Sequence, residues 1–396
     1  MPGARQISEQ KVRKIMELKD VRKEIDEIDK NLVELFCRRM DIVSEVAAVK
    51  AEKGLPVYDP ARERDKLCSV ADAAGEEYRT AACALYELIF ELSRAKQDRL
   101  LKTESKLKQC IAYAQENTPT LFPERAQVAC MGVEGAYAQL ACDQLFRLPS
   151  IVYCRNFKSV FAAVRDGLCR YGVLPIENST AGSVKEVADL VAESGLYIVR
   201  SLRLKVDHCL LAKKGAKLSD IREIYSHGQA IAQCDKFLHG LENVKVIPCE
   251  NTAVAAKIVA ESGRDDIAAL SSVNCADLYG LSVLKDDVQD HANNYTRFIC
   301  VSRELEIYPG ADRTSIMLAL PNKPGALYRV LARFSALGVN MVKLESRPIP
   351  ERDFEFVFYL DLDKPVAAPE LTELLRELES SCREFRYLGS YSELVS

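Results

Sequence analysis

Reading from Val21, the apolar residues Ile25, Ile28, Leu32, Leu35, Ile42, Val46 and Val49 keep the alternating three- and four-residue spacing of an amphipathic helix. Arg39 fills the one place in that stripe where hydrocarbon is expected. A guanidinium on a core-facing side is costly unless an anion is paired with it. Lys50 follows eleven residues later, three turns and about 20° of rotation, and shares the face. Two inward cations on one helix call for a buried anion that the chain does not supply. Asp59, Arg62 and Glu63 open a second helical stretch, and Ser93 and Gln97 form an i,i+4 pair on one face of a third. No Ser–His–Asp or Cys–His arrangement accompanies them. The set suits a dianionic small molecule whose reaction needs shape and charge stabilisation rather than a nucleophile. The plainer alternative is a solvated face carrying ordinary salt bridges.

Arg22 lies seventeen residues before Arg39, about 25 Å along the axis and roughly 100° around it. One straight helix cannot hold one small acid with both. An Arg22 that serves a site therefore serves that of a second copy, which implies an intertwined dimer.

The elements that must position these residues have three grammars. The first is all-helical, residues 12–110. A long helix from about Val12 to Glu52 ends at Gly54-Leu55-Pro56, a second starts at Asp59-Pro60 with Asp as N-cap and Pro at its first position, and a third runs from Tyr78 past Leu101. Residues 111–126, with the Pro119 and Pro123 breaks, read as a linker. In residues 127–304 short apolar runs near 128–131, 171–174, 209–212, 224–225, 244–247, 267–270 and 297–301 alternate with helical patterns, which is α/β grammar. Residues 312–393 read strand, helix, strand, strand, helix, strand, the ferredoxin-like order of an α+β domain.

Several strand ends in the α/β segment carry small polar residues ahead of a helix: Gly132-Val133-Glu134-Gly135, residues 177–182, Ser226-His227-Gly228-Gln229 and Glu250-Asn251-Thr252. Helix N-termini bind anions through free N–H groups, so several converging on one cleft would suit a polycarboxylate. The same residues also serve as ordinary N-caps.

Composition narrows the classes. At 396 residues the chain is too long for one core, and its net charge of −4 points neither to nucleic acid nor to an anionic membrane surface. No apolar run approaches a membrane span, and the N-terminus lacks the apolar stretch of a signal peptide, so a cytoplasmic protein is expected. None of the fourteen cysteines forms a CxxC pair and the four histidines are scattered, so no metal and no disulfide framework are expected.

The run VRKEIDEIDKNLVELFCRRMDIVSEVAAVK, then DPARERD, then LSRAKQ, resembles the all-helical chorismate mutases. That resemblance implies rearrangement of chorismate to prephenate without covalent catalysis or cofactor. Arg39 and Lys50 would clamp carboxylate and ether oxygen, Gln97 would donate to the ether oxygen, and Glu63 would orient the substrate hydroxyl. Arg22, Asp59, Arg62 and Ser93 complete the family's set. LPIENSTAG, VDHCLLA, YSHGQAIAQC and NNYTRF resemble prephenate dehydratase, in that order. This implies two α/β subdomains around a cleft, like a periplasmic binding protein, and loss of CO₂ and water from prephenate to give phenylpyruvate. Thr296 would be the key catalytic residue, with Glu177, Asn178, Ser226, Gln233, Glu250, Arg297 and Phe298 lining the pocket. A threonine hydroxyl is a poor acid, so its role is a positioned hydrogen-bond donor to the leaving oxygen. One departure is Ala138-Gln139, where the family carries Ser-His; this raises the alternative of an impaired dehydratase.

Pro324-Gly325-Ala326-Leu327 and Leu344-Glu345-Ser346-Arg347-Pro348 resemble the ACT regulatory domain, which implies phenylalanine as feedback inhibitor held by Gly325, Ala326, Leu327, Glu345, Ser346 and Arg347 between paired subunits. The whole resembles a bifunctional chorismate mutase–prephenate dehydratase of phenylalanine biosynthesis. Fusion to prephenate dehydrogenase would need a dinucleotide fold, and no GxGxxG follows a strand here. A non-catalytic amino-acid sensor would leave Thr296 and the helical polar set without a purpose.

Overall fold

The computed structural model describes residues 18–101, 105–349 and 355–396. The chain divides between residues 103 and 104 into two compact units. The expected first helix spans Leu18–Glu52 within the described residues, and its expected start at residues 12–17 lies outside them.

The helical run Pro60–Leu101 is broken at Gly75, whose φ of 68° and ψ of 176° are not helical. Across that break the chain doubles back. Glu63 meets Arg94, Lys66 lies over the Tyr86 ring, and Asp72 reaches Arg79. The result is a helical hairpin, so the expected three helices are present. The long first helix packs on the hairpin's second arm through Arg39 and Ser93 and through Asp41 and Lys96. The buried residues of the first helix are Val43 and Ala47. They lie at i+4 and i+8 from Arg39, with Lys50 at i+11, so one face carries two small apolar residues between two half-buried cations. The apolar stripe behaves differently from expectation. Ile25, Ile28, Leu32 and Leu35 are 49%, 59%, 56% and 63% exposed, because no described residue of the helical unit packs over them.

Among the described residues the second unit holds three sheets. The first runs, in spatial order, Glu393–Val395, Tyr197–Lys205, Tyr295–Ser302, Tyr171–Asn178, Arg125–Met131 and Leu148–Cys154, with Gly182–Ser183 added beside Tyr171–Asn178. The second runs Ser282–Lys285, Cys209–Ala212, Ile267–Ser271, Glu223–His227 and Lys245–Cys249. The chain passes between these two sheets twice, at 206–208 and at 286–294. The crossings are tied to each other by Val206 N–H to the Asn294 carbonyl (2.8 Å) and Val288 N–H to the His208 carbonyl (3.0 Å). This gives two lobes joined by a pair of adjacent strands.

The third sheet runs Asn340–Pro348, Phe356–Asp363, Arg313–Leu320 and Glu384–Tyr391, with helices Ala326–Ala336 and Pro369–Ser381 on one face, the expected ferredoxin-like order. That face buries Ile316, Leu318, Leu360 and Leu362 against Phe334, Leu371 and Leu375. The opposite face lies on the first lobe, where Leu388 and Tyr391 join its core, with Met317 and Tyr359 packed alongside. The segment expected to be a linker, 111–126, begins inside a helix, Lys106–Asn117, capped by Ser105. Its Ile111 and Ala114 are buried in the core of the third sheet, an i,i+3 apolar pair too short to stand out in the sequence.

Candidate active sites

In the helical unit the Arg39 guanidinium donates to Ser93 Oγ at 2.6 Å and lies 6.0 Å from the Phe90 ring centroid. Burial lowers its pKa, the mark of a cation stripped of water with no carboxylate to offset the loss. Lys50 Nζ donates to the Val57 carbonyl at 2.6 Å. Gln97 is buried; its Nε2 makes a long 3.3 Å bond to the Ser93 carbonyl and its Oε1 has no partner. Glu63 is taken up by Arg94, which also bonds Glu91 and lies over the Tyr58 ring. Arg94 was missed in the sequence because it reads as a surface arginine one residue from Ser93. Asp59 caps its helix, accepting from Arg62 N–H at 3.0 Å, and Arg62 and Arg22 are exposed. The structure thus draws Arg39, Ser93 and Gln97 together as a half-buried polar group with unfilled bonding capacity.

In the second unit the alternation of one strand sorts the expected residues. Thr296 pairs with Asn178 and Arg297 pairs with Glu177 across the ladder, so the two pairs point to opposite faces of the sheet. On the first face, Asn178 Nδ2 donates to Thr296 Oγ1 at 3.0 Å and to Asn294 Oδ1 at 3.0 Å. The orientation of this amide is fixed by its other end: Asn178 Oδ1 accepts from the backbone N–H groups of Thr180 (3.1 Å) and Ala181 (2.9 Å). Gln233, from the second lobe, donates to Thr180 Oγ1 at 2.7 Å and accepts from Asn294 Nδ2 at 3.0 Å, so it bridges the lobes. His208 Nε2 lies 3.0 Å from the same Gln233 oxygen. Since that oxygen can only accept, His208 carries its proton on Nε2, and its Nδ1 is buried without a partner. Burial holds its pKa below the ordinary histidine value, so the ring is neutral near pH 7. Thr180, His208 and Asn294 were passed over as motif wording; only the fold brings them beside Thr296.

Other expectations need correcting. Arg297 and Glu177 face the third sheet and not the cleft: Arg297 is bonded to Asp361, and Glu177 lies 3.5 Å from Lys343. Phe298 is 3% exposed in the core of the first sheet, past a register shift that follows Arg297. Ser226 is fully buried and donates to the Leu270 carbonyl at 2.8 Å, a bond that fastens two strands. Glu250 is exposed just beyond the strand Lys245–Cys249. The Ala138-Gln139 departure falls on residues with structural partners. Ala138 is a core residue of the helix Tyr137–Leu145, and Gln139 accepts from Gly135 N–H at 2.6 Å.

In the third sheet Glu345 and Arg347 face the first lobe. Arg347 donates to Asp189 at 2.8 Å and to the Lys185 carbonyl at 3.3 Å, while Ser346 on the alternate side is exposed. Gly325, with φ of 76°, precedes the helix Ala326–Ala336; Ala326 is buried and Leu327 half-buried. Asn340–Pro348 is an edge strand, paired on one side only, with Val342 and Leu344 46% and 43% exposed.

A helical unit with an unneutralised cation, a two-lobed α/β domain with a held hydroxyl between its lobes, and a ferredoxin-like sheet docked on it define a two-site enzyme with an attached ligand-binding domain. Three family models match in the same order: chorismate mutase type II over residues 21–98, prephenate dehydratase over 128–306 and ACT domain over 314–380. The bifunctional chorismate mutase/prephenate dehydratase of Escherichia coli K12 is 32% identical over 381 residues, covering 94% of this chain and 95% of its own. Arogenate dehydratase/prephenate dehydratase 2 of Arabidopsis thaliana is 38% identical over 279 residues, 67% of this chain and 73% of its own. The crystal structure of Arthrobacter aurescens prephenate dehydratase in complex with L-Phe superposes with a TM-score of 0.62 at 32% identity, covering 67% of this chain and 89% of that one. The chain belongs to the bifunctional chorismate mutase/prephenate dehydratase family. Among the described residues no helix is long and apolar enough to cross a membrane.

Proposed function

We propose that each residue set performs one of two consecutive reactions. In the helical unit chorismate rearranges to prephenate. The reaction is intramolecular and needs no nucleophile, which fits a site made of donors and cations. Arg39 and Lys50 clamp carboxylate and ether oxygen by donating to them, and Gln97 turns its amide to donate to that ether oxygen. Glu63 keeps one carboxylate oxygen for the substrate hydroxyl while Arg94 holds the other. The open stripe of Ile25, Ile28, Leu32 and Leu35 is covered by the same stripe of a second copy, and the partner's Arg22 completes the site.

In the cleft prephenate loses its ring carboxylate as CO₂ and its hydroxyl as water, and the ring becomes aromatic. The observation that carries this reading is the bond from Asn178 to Thr296. Because Oγ1 accepts from a pinned amide, its own proton is free to donate to the departing oxygen. Phenylalanine, bound by Gly325, Ala326 and Leu327 with Glu345, Ser346 and Arg347 of a paired subunit, favours a less active arrangement, and the enzyme works in the cytoplasm.

The test is to give purified protein chorismate and follow prephenate and phenylpyruvate. Gln97→Ala is expected to abolish the first step and spare dehydration of added prephenate; Thr296→Ala is expected to do the reverse. Loss of both activities in either folded variant would refute the division of labour, and prephenate accumulating unchanged in the parent would leave a mutase alone.

A further inference from the structure

Arg297 sits one residue from Thr296 on the same strand, yet its side chain leaves the cleft entirely. It is 13% exposed and surrounded by three carboxylates from three parts of the chain. Nη2 lies 2.5 Å from Asp361 of the third sheet, Nη1 lies 3.7 Å from Glu177 of the neighbouring strand, and Nε lies 3.7 Å from Glu393 of the strand Glu393–Val395. Nη2 also donates to the Tyr391 hydroxyl at 3.3 Å.

The surroundings are built rather than incidental. Asp361 is 8% exposed, and its second oxygen accepts from Ser315 Oγ. Ser315 also bonds the Tyr391 hydroxyl at 2.6 Å. Glu393 is fixed by Arg203 at 3.0 Å, and its strand pairs in parallel with residues 201–203. A cavity of about 580 Å³, lined by Arg297, Asp361, Tyr391, Arg203 and Arg313 among others, leaves room between the two domains at this point.

We infer that Arg297 is a positioning residue: bonded to Asp361 and facing Glu393 at 3.7 Å, it sets the place of Thr296 and transmits the state of the third sheet to the cleft. Leaving a buried guanidinium without a carboxylate is strongly unfavourable, because its charge is then uncompensated. If the third sheet shifts, Arg297 must follow Asp361 or change to Glu177 or Glu393, each already within 4 Å. The first response pulls on a strand whose preceding residue carries the donor hydroxyl; the second releases that pull. A switch of this cation from Asp361 to Glu177 or Glu393 would be the kind of two-state element that coupling between sites requires. The inference rests on the proposed phenylalanine-inhibited dehydratase.

The experiment compares the full-length parent with Asp361→Asn and Glu393→Gln. For each, dehydration of prephenate is titrated with phenylalanine, phenylalanine binding is measured by calorimetry, and mutase turnover serves as a folding control. Coupling through Arg297 predicts that Asp361→Asn still binds phenylalanine, but that saturating phenylalanine leaves a large residual activity, with kcat down by about tenfold. Glu393→Gln shifts in the same direction by less. A protein that was merely less stable would lose activity yet keep the parent's inhibition curve. Inhibition as complete as the parent's at saturating phenylalanine in both variants overturns the inference, and so does loss of phenylalanine binding in Asp361→Asn, which would make it a ligand contact. Should Asp361→Asn fail to fold, Glu393→Gln alone decides. A parent that does not dehydrate prephenate, or ignores phenylalanine, overturns the functional reading itself and takes this inference with it.

Discussion

Asn178→Asp exchanges one amide nitrogen for an oxygen at a residue that is 5% exposed, with no change in shape. The oxygen facing Thr180 and Ala181 keeps its two backbone donors. The other atom, now an acceptor, lies 3.0 Å from Thr296 Oγ1 and 3.0 Å from Asn294 Oδ1. Thr296 must then give its proton to the new carboxylate and no longer offers it to the departing hydroxyl. Removing one preorganised donor of this kind costs about 2.7–4 kcal/mol in the transition state, or roughly 10²–10³ in kcat. Burial disfavours the ionised carboxyl and raises its pKa, and the protonated form can donate to Thr296 as the amide did. The variant should therefore recover part of its rate as pH falls, opposite to a simple loss of fold. The assay is phenylpyruvate formation from added prephenate, with mutase turnover confirming an intact chain. Thr296→Ser, which keeps a hydroxyl, should stay within about tenfold of the parent, whereas Thr296→Val should match Asn178→Asp. An Asn178→Asp enzyme within about threefold of the parent near neutral pH would show that the direction of the Thr296 proton does not govern the reaction.

Three further outcomes are expected. Arg39→Met removes a desolvated cation with no carboxylate partner, so the empty helical unit should gain up to about 1 kcal/mol in denaturant unfolding while mutase kcat/KM falls by roughly 10³ or more. Ile28→Glu places a charge on the exposed apolar stripe; assays with chorismate and with added prephenate should show mutase activity lost and dehydration kept. His208 has a folded pKa below 6.5 because of burial, so the unfolded chain binds the proton first on acidification. Its contribution to stability is complete above pH 6.5 and is lost as pH falls through the folded value. Melting temperature measured against pH should show this loss, and His208→Gln should remove that component of it.

Much of the plan was legible because local pattern and tertiary demand agree. The order of helical, α/β and ferredoxin-like segments follows from periodicity, and Gly75 breaks a helical run into the expected second and third helices. Motif wording alone singled out Asn178, Gln233 and Thr296, which the structure joins in one hydrogen-bond network. Misplacement came where facing direction depends on a partner. Arg297 and Glu177 belong to the same motifs as Thr296 and Asn178, but strand alternation sends them to the other side, a consequence only of the register. The strand Tyr197–Lys205 was missed because Arg200, Arg203 and Lys205 break its apolar run, and it becomes internal only when Glu393–Val395 covers its edge. The stripe on the first helix was correctly seen as apolar, but a sequence cannot say whether its own chain or another buries it.

The late pairing of Glu393–Val395 also bears on how the molecule is made and cut. The largest sheet of the catalytic domain takes its outermost strand from beyond the regulatory fold, so no contiguous segment ending near residue 304 contains the whole sheet. On a ribosome adding roughly 5–20 residues per second, the edge of Tyr197–Lys205 waits about 5–20 s after Ser302 for its cover. An uncovered edge is a template for pairing with other chains. Truncated versions of this domain should then be prone to aggregate, a practical hazard for anyone dissecting it.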